Sequence, residues 1–253
     1  MKKTLKIVAV IIVALVVLPV CCFLFTGIPE YILTQVFIAP EASWPYSEWS
    51  HYDAGTLSDY QTISCGKTTV DIPKEMTEHF SKSGERFENH VVYEFDSAEG
   101  EGGTSYSVLV TRESAEEMPD LTDEDEMKGI TQKDIDNYCK KRGLPPIRSS
   151  YDYFHTVYSA DMKGCNILSK KNTTLYMIFM TFKAAGNGAY PEIYHFDSGD
   201  TIGFIIDYHE DNQYIADIYN KNDLNTEGTV AISAPDADTA YKIINSMRIN
   251  TGE

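Results

Sequence analysis

A cysteine and a histidine stand close enough in the sequence to form a catalytic pair. Cys165 follows His155 by ten residues, across a predicted turn at Lys163-Gly164. An imidazole beside a thiol lowers the thiol pKa and so produces the nucleophilic thiolate. The signatures of known thiol enzymes are absent, and small cysteines are often buried without a catalytic role. Two interpretations stay open: a nucleophile at Cys165 with His155 as its base, or two structural residues.

Metal binding is the second kind of chemistry that the residue types allow. The six histidines are scattered singly, without the one-turn or alternate-strand spacing of zinc ligands. Asp120, Asp123 and Asp125 stand within one short segment and could bind a hard cation such as calcium. That segment lacks the glycine and glutamate of an EF-hand, and its acids equally suit the first turn of a helix beginning at Thr122. No cofactor is predicted.

Motifs for phosphate binding and hydrolysis are missing. Gly100, Gly102 and Gly103 lie between two predicted strands, without the helix N-terminus that a phosphate-binding loop needs. The sequence contains no GxSxG elbow, HExxH motif or kinase motif. The sequence therefore assigns no reaction to the chain.

Alternating runs of aromatic and β-branched residues predict a sheet as the main framework. The predicted strands are Tyr60–Ser64, Thr68–Ile72, His90–Phe95, Ser105–Thr111, Tyr151–Ser159, Thr174–Phe182, Glu192–Phe196, Ile202–Tyr208, Tyr214–Tyr219 and Thr229–Ile232. The short turn sequences Cys65-Gly66-Lys67 and Glu210-Asp211-Asn212 predict hairpins, and hence a mostly antiparallel sheet.

Two helices are well marked. Thr131 and Asp134 form a capping-box pattern, and Gly143 gives the stop signal of the same helix. The second predicted helix runs from Asp236 to Met247 with one apolar stripe. With the weaker helix at Thr122, the sequence predicts an α+β fold in which two or three helices flank the sheet.

Two segments resemble a known family. ISCGKTTVDIPKEM (Ile63–Met76) and TAYKIINSMRI (Thr239–Ile249) are similar to the opening and closing elements of the PsbP-like α/β/α sandwich family of exported bacterial proteins. The resemblance covers about 25 residues at the two ends of the domain. It implies an antiparallel sheet flanked by helices and a binding or scaffolding role, with no catalytic residues to carry over.

An apolar segment near the N-terminus predicts attachment to a membrane. Ile7–Phe25 contains nineteen residues without a formal charge, enough for a helix to cross the hydrocarbon core. Lys2, Lys3 and Lys6 precede it and favour a cytoplasmic N-terminus. The sequence therefore predicts a single-pass protein of the cell membrane, with everything after Phe25 on the non-cytoplasmic side.

Two other fates of this segment stay open. Leu18 three residues before Cys21 resembles a bacterial lipoprotein box, although Val20 stands where that pattern has a small residue. Cleavage by signal peptidase is the other alternative, but no pair of small residues in an A-x-A-like arrangement follows the run. An anchor that is not cleaved is our prediction.

We predict three regions along the chain: a membrane anchor in residues 1–26, a juxtamembrane segment and linker in residues 27–59, and an exported α+β domain in residues 60–253. Within the linker, Trp44, Tyr46, Trp49 and Tyr52 suit either an aromatic anchor at the membrane surface or an extended strap on the domain. The strap is favoured.

The negative net charge of the chain limits the classes of partner that it can bind. The chain has a net charge of -17, which disfavours binding to nucleic acid or to anionic lipid headgroups. We predict a non-catalytic binding or interaction module of the cell envelope, with peptidoglycan, an envelope protein or a cation as the open ligands. The alternative is an envelope hydrolase whose active site is assembled only in three dimensions.

Overall fold

The computed structural model describes residues 46–50, 58–80, 86–95, 106–115, 129–161, 165, 169–186, 192–208 and 212–250. The predicted anchor with Cys21, the acidic segment with Asp120, Asp123 and Asp125, the glycine loop and the predicted helix at Thr122 lie outside these ranges. No helix in the described part is long and apolar enough to span a membrane. The predicted anchor and the region boundaries at residues 26 and 59 stay predictions.

The described residues fall into two compact units. The sheet unit comprises the described residues of 46–119, 148–155 and 187–253, and the helical unit comprises those of 120–147 and 156–186. The strands are β1 (Ser47–Glu48), β2 (Tyr60–Cys65), β3 (Thr68–Pro73), β4 (Met76–His79), β5 (His90–Phe95), β6 (Ser107–Thr111), β7 (Ser114–Ala115), β8 (Glu192–Ser198), β9 (Thr201–Asp207), β10 (Gln213–Asn220), β11 (Asp223–Ser233) and β12 (Arg248–Ile249). The helices are α1 (Gln132–Arg142), α2 (Ser150–Tyr158), α3 (Lys170–Gly186) and α4 (Ala237–Ser246).

Two sheets form the sheet unit. The larger has the order β1-β8-β9-β10-β11-β6-β5-β4, with β7 also paired to β11, and the smaller has the order β12-β3-β2. Every pairing is antiparallel except the one between β1 and β8. The predicted α+β class and the mostly antiparallel sheet are confirmed, although four helices, and not two or three, occur in the described residues.

The core of the sheet unit lies on one face of the larger sheet. Ile205, Ala216 and Val230 are neighbours across β9, β10 and β11, and all three are fully buried. Ile243 of α4 and Val70 of β3 belong to the same apolar cluster. Each buried Ile or Val side chain contributes about 1.5–3 kcal/mol by leaving water, so this face fixes the register of the sheet.

The helix ends that the sequence marked are confirmed. Thr131 and Asp134 make both hydrogen bonds of the capping box at the start of α1, and Gly143 ends that helix with a φ of 78°. Asp236 caps α4 by accepting from Thr239 N at 2.7 Å. Local side-chain chemistry sets these boundaries, which explains why the sequence alone located them.

The prediction of a strand at Tyr151–Ser159 was wrong, because nearly all of that segment lies in α2. Its alternating Tyr and Val residues imitate a strand pattern. The start of a helix was present in the sequence as Ser149 three residues before Asp152, and the Ser149 Oγ accepts from Asp152 N at 3.1 Å. Capping chemistry therefore overrides the period-two pattern.

The prediction of a strand at Thr174–Phe182 was also wrong, because the segment lies inside the seventeen-residue helix α3. Leu175, Ile178 and Phe179 are buried at helical spacing. Tyr176 and Met180 are buried as well, so apolar residues surround much of the helix and hide its period. In the helical unit, α3 packs against α1 through the rings of Tyr138 and Phe179, whose centroids are 5.3 Å apart.

Candidate functional site

Residues Tyr46 to Ser50, here called the strap, lie along the edge of the larger sheet. Trp49 N donates to His195 O at 2.8 Å, beside the parallel pairing of β1 with β8. The Trp49 ring packs edge-on against Tyr194 and Tyr241, each at 5.3 Å between ring centroids. Tyr46 and Trp49 thus lie on the sheet unit as the predicted strap does, whereas Trp44 and Tyr52 lie outside the described residues.

Polar rings gather where the strap meets the sheet. This histidine cluster consists of Tyr46, Glu48, Tyr151, His155 and His195. Glu48 Oε2 is 2.8 Å from His195 Nδ1, and His195 Nε2 is 2.9 Å from the Tyr151 hydroxyl. A carboxylate only accepts, so Nδ1 carries a proton, and in the neutral ring Nε2 then accepts from Tyr151. The Tyr46 hydroxyl lies 2.9 Å from His155 Nε2.

Sheet register and helix spacing bring the cluster together. Glu48, His195 and Phe204 are direct neighbours across β1, β8 and β9, so they share the face opposite the core. Tyr151 and His155 are one turn apart on α2, and their rings stack at 5.6 Å. The Phe204 ring contacts the Tyr151 ring at 5.5 Å and gives the cluster an apolar floor.

The chemistry of the cluster is limited by its burial. Carboxylate, imidazole and phenol in a row could move a proton, but Tyr151 is only 7% exposed. Burial raises the pKa of the Tyr151 phenol, and burial together with His195 lowers the pKa of His155. Both groups therefore stay neutral near pH 7 and act as hydrogen-bonding links between strap, sheet and helix.

Cys165 lies in the helical unit, whereas its predicted partner His155 lies in the sheet unit. The thiol is buried and accepts from an Arg142 guanidinium nitrogen at 3.3 Å. Arg142 also bonds Asp161 Oδ1 at 3.0 Å and lies over the Tyr138 ring at 3.4 Å. We call Tyr138, Arg142, Asp161 and Cys165 the arginine cluster. The structure thus gives each residue of the predicted pair its own partners.

A polar cleft opens at one end of the sheet unit. A cavity of about 410 Å³ is lined by Ser198, Gly199, Asp200, Thr201, Asn245, Arg248, Ile249 and Asn250. A neighbouring cavity of about 190 Å³ is lined by Lys67, Asn220, Asn222, Asp223, Thr226, Ile249 and Asn250. The two share Ile249 and Asn250, and together they are called the polar cleft.

Short turns and the strand β12 build the cleft. The turn between β8 and β9 contains Gly199, whose φ is 57°. Lys221 holds that turn, because its Nζ donates to Asp197 at 2.6 Å and to Gly199 O at 2.7 Å. Ile249 N donates to Thr201 Oγ1 at 3.1 Å, and Ile249 O accepts from Asn220 Nδ2 at 3.0 Å. The cleft is therefore preformed by hydrogen bonds within the sheet unit.

The lining of the cleft is polar and balanced in charge. Lys67 and Arg248 are cationic, and Asp200 and Asp223 are anionic. The remaining lining residues are neutral, with four asparagines among them. None of the described lining residues is histidine or cysteine. The site offers donors and acceptors but no imidazole base or thiol nucleophile.

Sequence reasoning missed both the histidine cluster and the cleft. Glu48 and His195 are 147 residues apart, and no local pattern joins them. The asparagines of the cleft stand in turn sequences, where Asn normally serves the backbone alone. The Asn220-Lys221-Asn222-Asp223 turn was the one visible concentration of such residues.

Metal binding finds no support in the described part of the chain, which contains no group of three or more His, Cys, Asp or Glu placed to hold an ion. The predicted calcium ligands Asp120, Asp123 and Asp125 lie outside that part and stay a prediction. Neither a protein-family model nor a curated protein matches the chain.

Proposed function

We propose that this chain is a membrane-anchored protein of the cell envelope and that its exported sheet unit is a non-catalytic binding module. The ligand is uncharged overall and carries hydroxyl and amide groups, as the glycan strands of peptidoglycan do, and it binds in the polar cleft. The observation that carries the proposal is the lining of that cleft, which is rich in asparagine and has balanced charges. Such a lining can both donate to and accept from a polar ligand without attracting an ion.

The separation of the cleft from the titratable rings supports binding over catalysis. An active site usually brings a cavity and groups with shifted pKa values together. Here His155 and Tyr151, whose pKa values are shifted, make their contacts within the histidine cluster, and neither lines the cleft. The hydrolase alternative rests on the two carboxylates of the lining, Asp200 and Asp223, alone.

The edge of β12 supports a glycan over a peptide strand. A peptide that extends a sheet needs free backbone N–H and C=O groups on the edge strand. Both groups of Ile249 are already bonded, to Thr201 and to Asn220. The side chains around this strand therefore carry recognition, and they suit hydroxyl and acetamido groups.

The predicted anchor supports the envelope location. Ile7–Phe25 and the preceding lysines place the following chain outside the cytoplasm in our proposal. Fractionation of cells, followed by protease treatment from outside, tests this step. Recovery of the intact chain from the soluble cytosol would reject the location and the envelope ligand with it.

Co-sedimentation of the full-length chain in detergent with purified insoluble peptidoglycan tests the binding. Asn250 is exposed in the cleft, and its backbone N–H bond to Lys67 O survives replacement of the side chain. We expect Asn250→Ala to weaken binding about tenfold, the usual effect of removing one hydrogen-bonding group.

Asn89→Ala is the matched control, because Asn89 is an exposed asparagine of the sheet unit that does not line the cleft. Equal binding by Asn250→Ala and the unmodified chain would reject the cleft as the site. Release of soluble sugar fragments during the incubation would favour the hydrolase alternative.

A further inference from the structure

We propose that the strap is a pH-responsive tie that sets the geometry of the polar cleft, so that acidification releases the strap and loosens the cleft. This regulation rests on the proposed function only for its biological meaning. The link between strap and cleft is a physical property of the sheet unit and can be measured without a ligand.

The strap is held by three side chains that reach three different elements. Tyr46 bonds a helix through His155 at 2.9 Å, and Glu48 bonds a strand through His195 at 2.8 Å. Trp49 Nε1 donates to Asn245, which lies on α4, at 2.8 Å. Because neighbouring residues of one short segment make all three bonds, loss of one weakens the others.

Trp49 connects the strap to the cleft. The indole N–H only donates, so it fixes the carbonyl oxygen of Asn245 toward the strap and the amide nitrogen away from it. Asn245 lines the larger cavity of the cleft. The edge-on contacts with Tyr194 and Tyr241 hold the indole in position. When the strap leaves, Asn245 loses the hydrogen bond from Trp49, and the cleft wall becomes more mobile.

His155 is the group that responds to acid. The ionisable groups around it are Tyr46 and Glu48 of the strap, His195 of β8, and Tyr151 and Asp152 of its own helix. Phe204 of β9 covers the ring from the sheet side. His155 Nδ1 is buried without a hydrogen-bond partner. A proton added there would place a charged N–H against an apolar surface and beside His195.

The direction of the pH effect follows from this geometry. Burial, followed by the neighbouring His195, lowers the pKa of His155 below its ordinary value of 6.5. The released state therefore takes up a proton at a higher pH than the docked state does. Docking of the strap is fully stable above about pH 6.5 and weakens as the pH falls below it.

The experiment follows strap and cleft separately in the full-length chain. Trp44→Phe leaves Trp49 as the single tryptophan, so its fluorescence reports the strap. Hydrogen exchange of residues 245–250 reports the cleft. Between about pH 7.5 and about pH 5, after correction for intrinsic exchange, we expect a red shift of Trp49 and about tenfold faster exchange.

Two variants separate the residue that responds to acid, His155, from the residue that connects the strap to the cleft, Trp49. His155→Gln keeps a hydrogen-bonding group for Tyr46 but cannot be protonated, so we expect both responses to acid to disappear. Trp49→Phe keeps a ring between Tyr194 and Tyr241 but removes the N–H, so we expect fast exchange of residues 245–250 at both pH values. His90→Gln is the control, because His90 stacks on Phe87 outside the strap, and its pH response should remain.

The outcomes distinguish this inference from the proposed function. Acid release of Trp49 with unchanged exchange at residues 245–250 would overturn the coupling, as would an unaltered acid response in His155→Gln. Coupling that persists in a chain without affinity for peptidoglycan would support the tie and reject the proposed ligand. Binding of peptidoglycan without coupling between strap and cleft would support the proposed ligand and reject the tie.

Discussion

The histidine cluster and the arginine cluster solve one problem with different chemistry. Both tie segments together by polar side chains, one within the sheet unit around the buried Tyr151 and one within the helical unit around the buried Arg142 side chain. In the histidine cluster, burial lowers the pKa of His155, so this ring is neutral near pH 7 and takes up a proton in acid. The arginine cluster is built on Arg142, whose side chain is 2% exposed, and a guanidinium is the side-chain cation that proteins do not deprotonate. One tie can therefore be released by protons, and the other is permanent.

Replacement of Arg142 should cause the largest loss of stability among the variants that compare the two clusters. Arg142→Met leaves the Asp161 and Tyr138 carbonyls without their guanidinium donors. We expect a loss of about 3 kcal/mol in the unfolding free energy of the helical unit, measured by native-state hydrogen exchange. Arg142→Lys keeps the charge but not the planar fork, and should recover less than half of that loss. A loss below about 0.5 kcal/mol would show that the arginine cluster does not tie the helical unit together.

Lys183 is a second buried cation of the helical unit. It tests whether a buried cation in this unit keeps its charge only when the cation is a guanidinium. Burial lowers the pKa of this amine to about 8, and its Nζ donates to Tyr158 O at 3.1 Å. We expect Lys183→Met to raise the unfolding free energy at neutral pH by about 1–2 kcal/mol, because the charged amine is costly to bury.

The pH dependence of stability should show the direction of the Lys183 effect. The unfolded chain keeps the Lys183 proton up to pH 10.5, whereas the folded chain releases it from about pH 8. Stability of the unmodified chain should therefore rise, relative to Lys183→Met, as the pH increases from about 8 toward 10.5. Lys170→Met is the control, since Lys170 is an exposed residue of the same helix and should change stability by less than about 0.5 kcal/mol. A flat difference would contradict the burial effect.

The sheet unit should lose stability in acid through His155. The strap-opening free energy, measured by hydrogen exchange of residues 46–50, should fall as the pH decreases from about 7 to about 5, because burial lowers the pKa of His155 in the docked state. In His155→Gln this decrease should be absent. A decrease of equal size in Arg142-dependent protection of the helical unit would erase the difference between the two clusters.

The smallest effect should come from Asp134, a half-buried carboxylate at the start of α1. Hydrogen bonds from Lys171, and then from Thr131, lower the pKa of Asp134 from 3.8 to about 2. Its contribution is present above pH 3.8 and is lost as the pH falls toward about 2. Asp134→Asn should reduce helical protection at neutral pH by less than about 1 kcal/mol, because the capping bonds are exposed. An unchanged acid profile would contradict the assignment.

Sequence reasoning succeeded where structure is set by neighbours along the chain. The capping pair Thr131 and Asp134 and the turn glycine Gly66 act on residues within a few positions, so their signals can be read directly. The same logic would have located α2, because Ser149 and Asp152 form a helix start. That error came from weighing alternation above capping.

The site could not be predicted in this way. The strap bond from Trp49 to Asn245 spans 196 residues, and the bond from Asn220 to Ile249 spans 29. Such pairs depend on which strands are neighbours and in which register they align. The sequence alone does not show either. The short strands β1 and β12 were missed for the same reason, since two residues carry no period and gain their structure from partners that are distant in the chain.

The pairing of β12 with β3 has a consequence for how the protein is made. Thr69 faces Arg248, so one edge of β3 stays open until residue 249 has emerged from the ribosome. At typical rates of synthesis this interval lasts about 10 to 40 seconds. An open strand edge is a template for wrong pairing between nascent chains. A chaperone that holds the polypeptide during translation would protect that edge first.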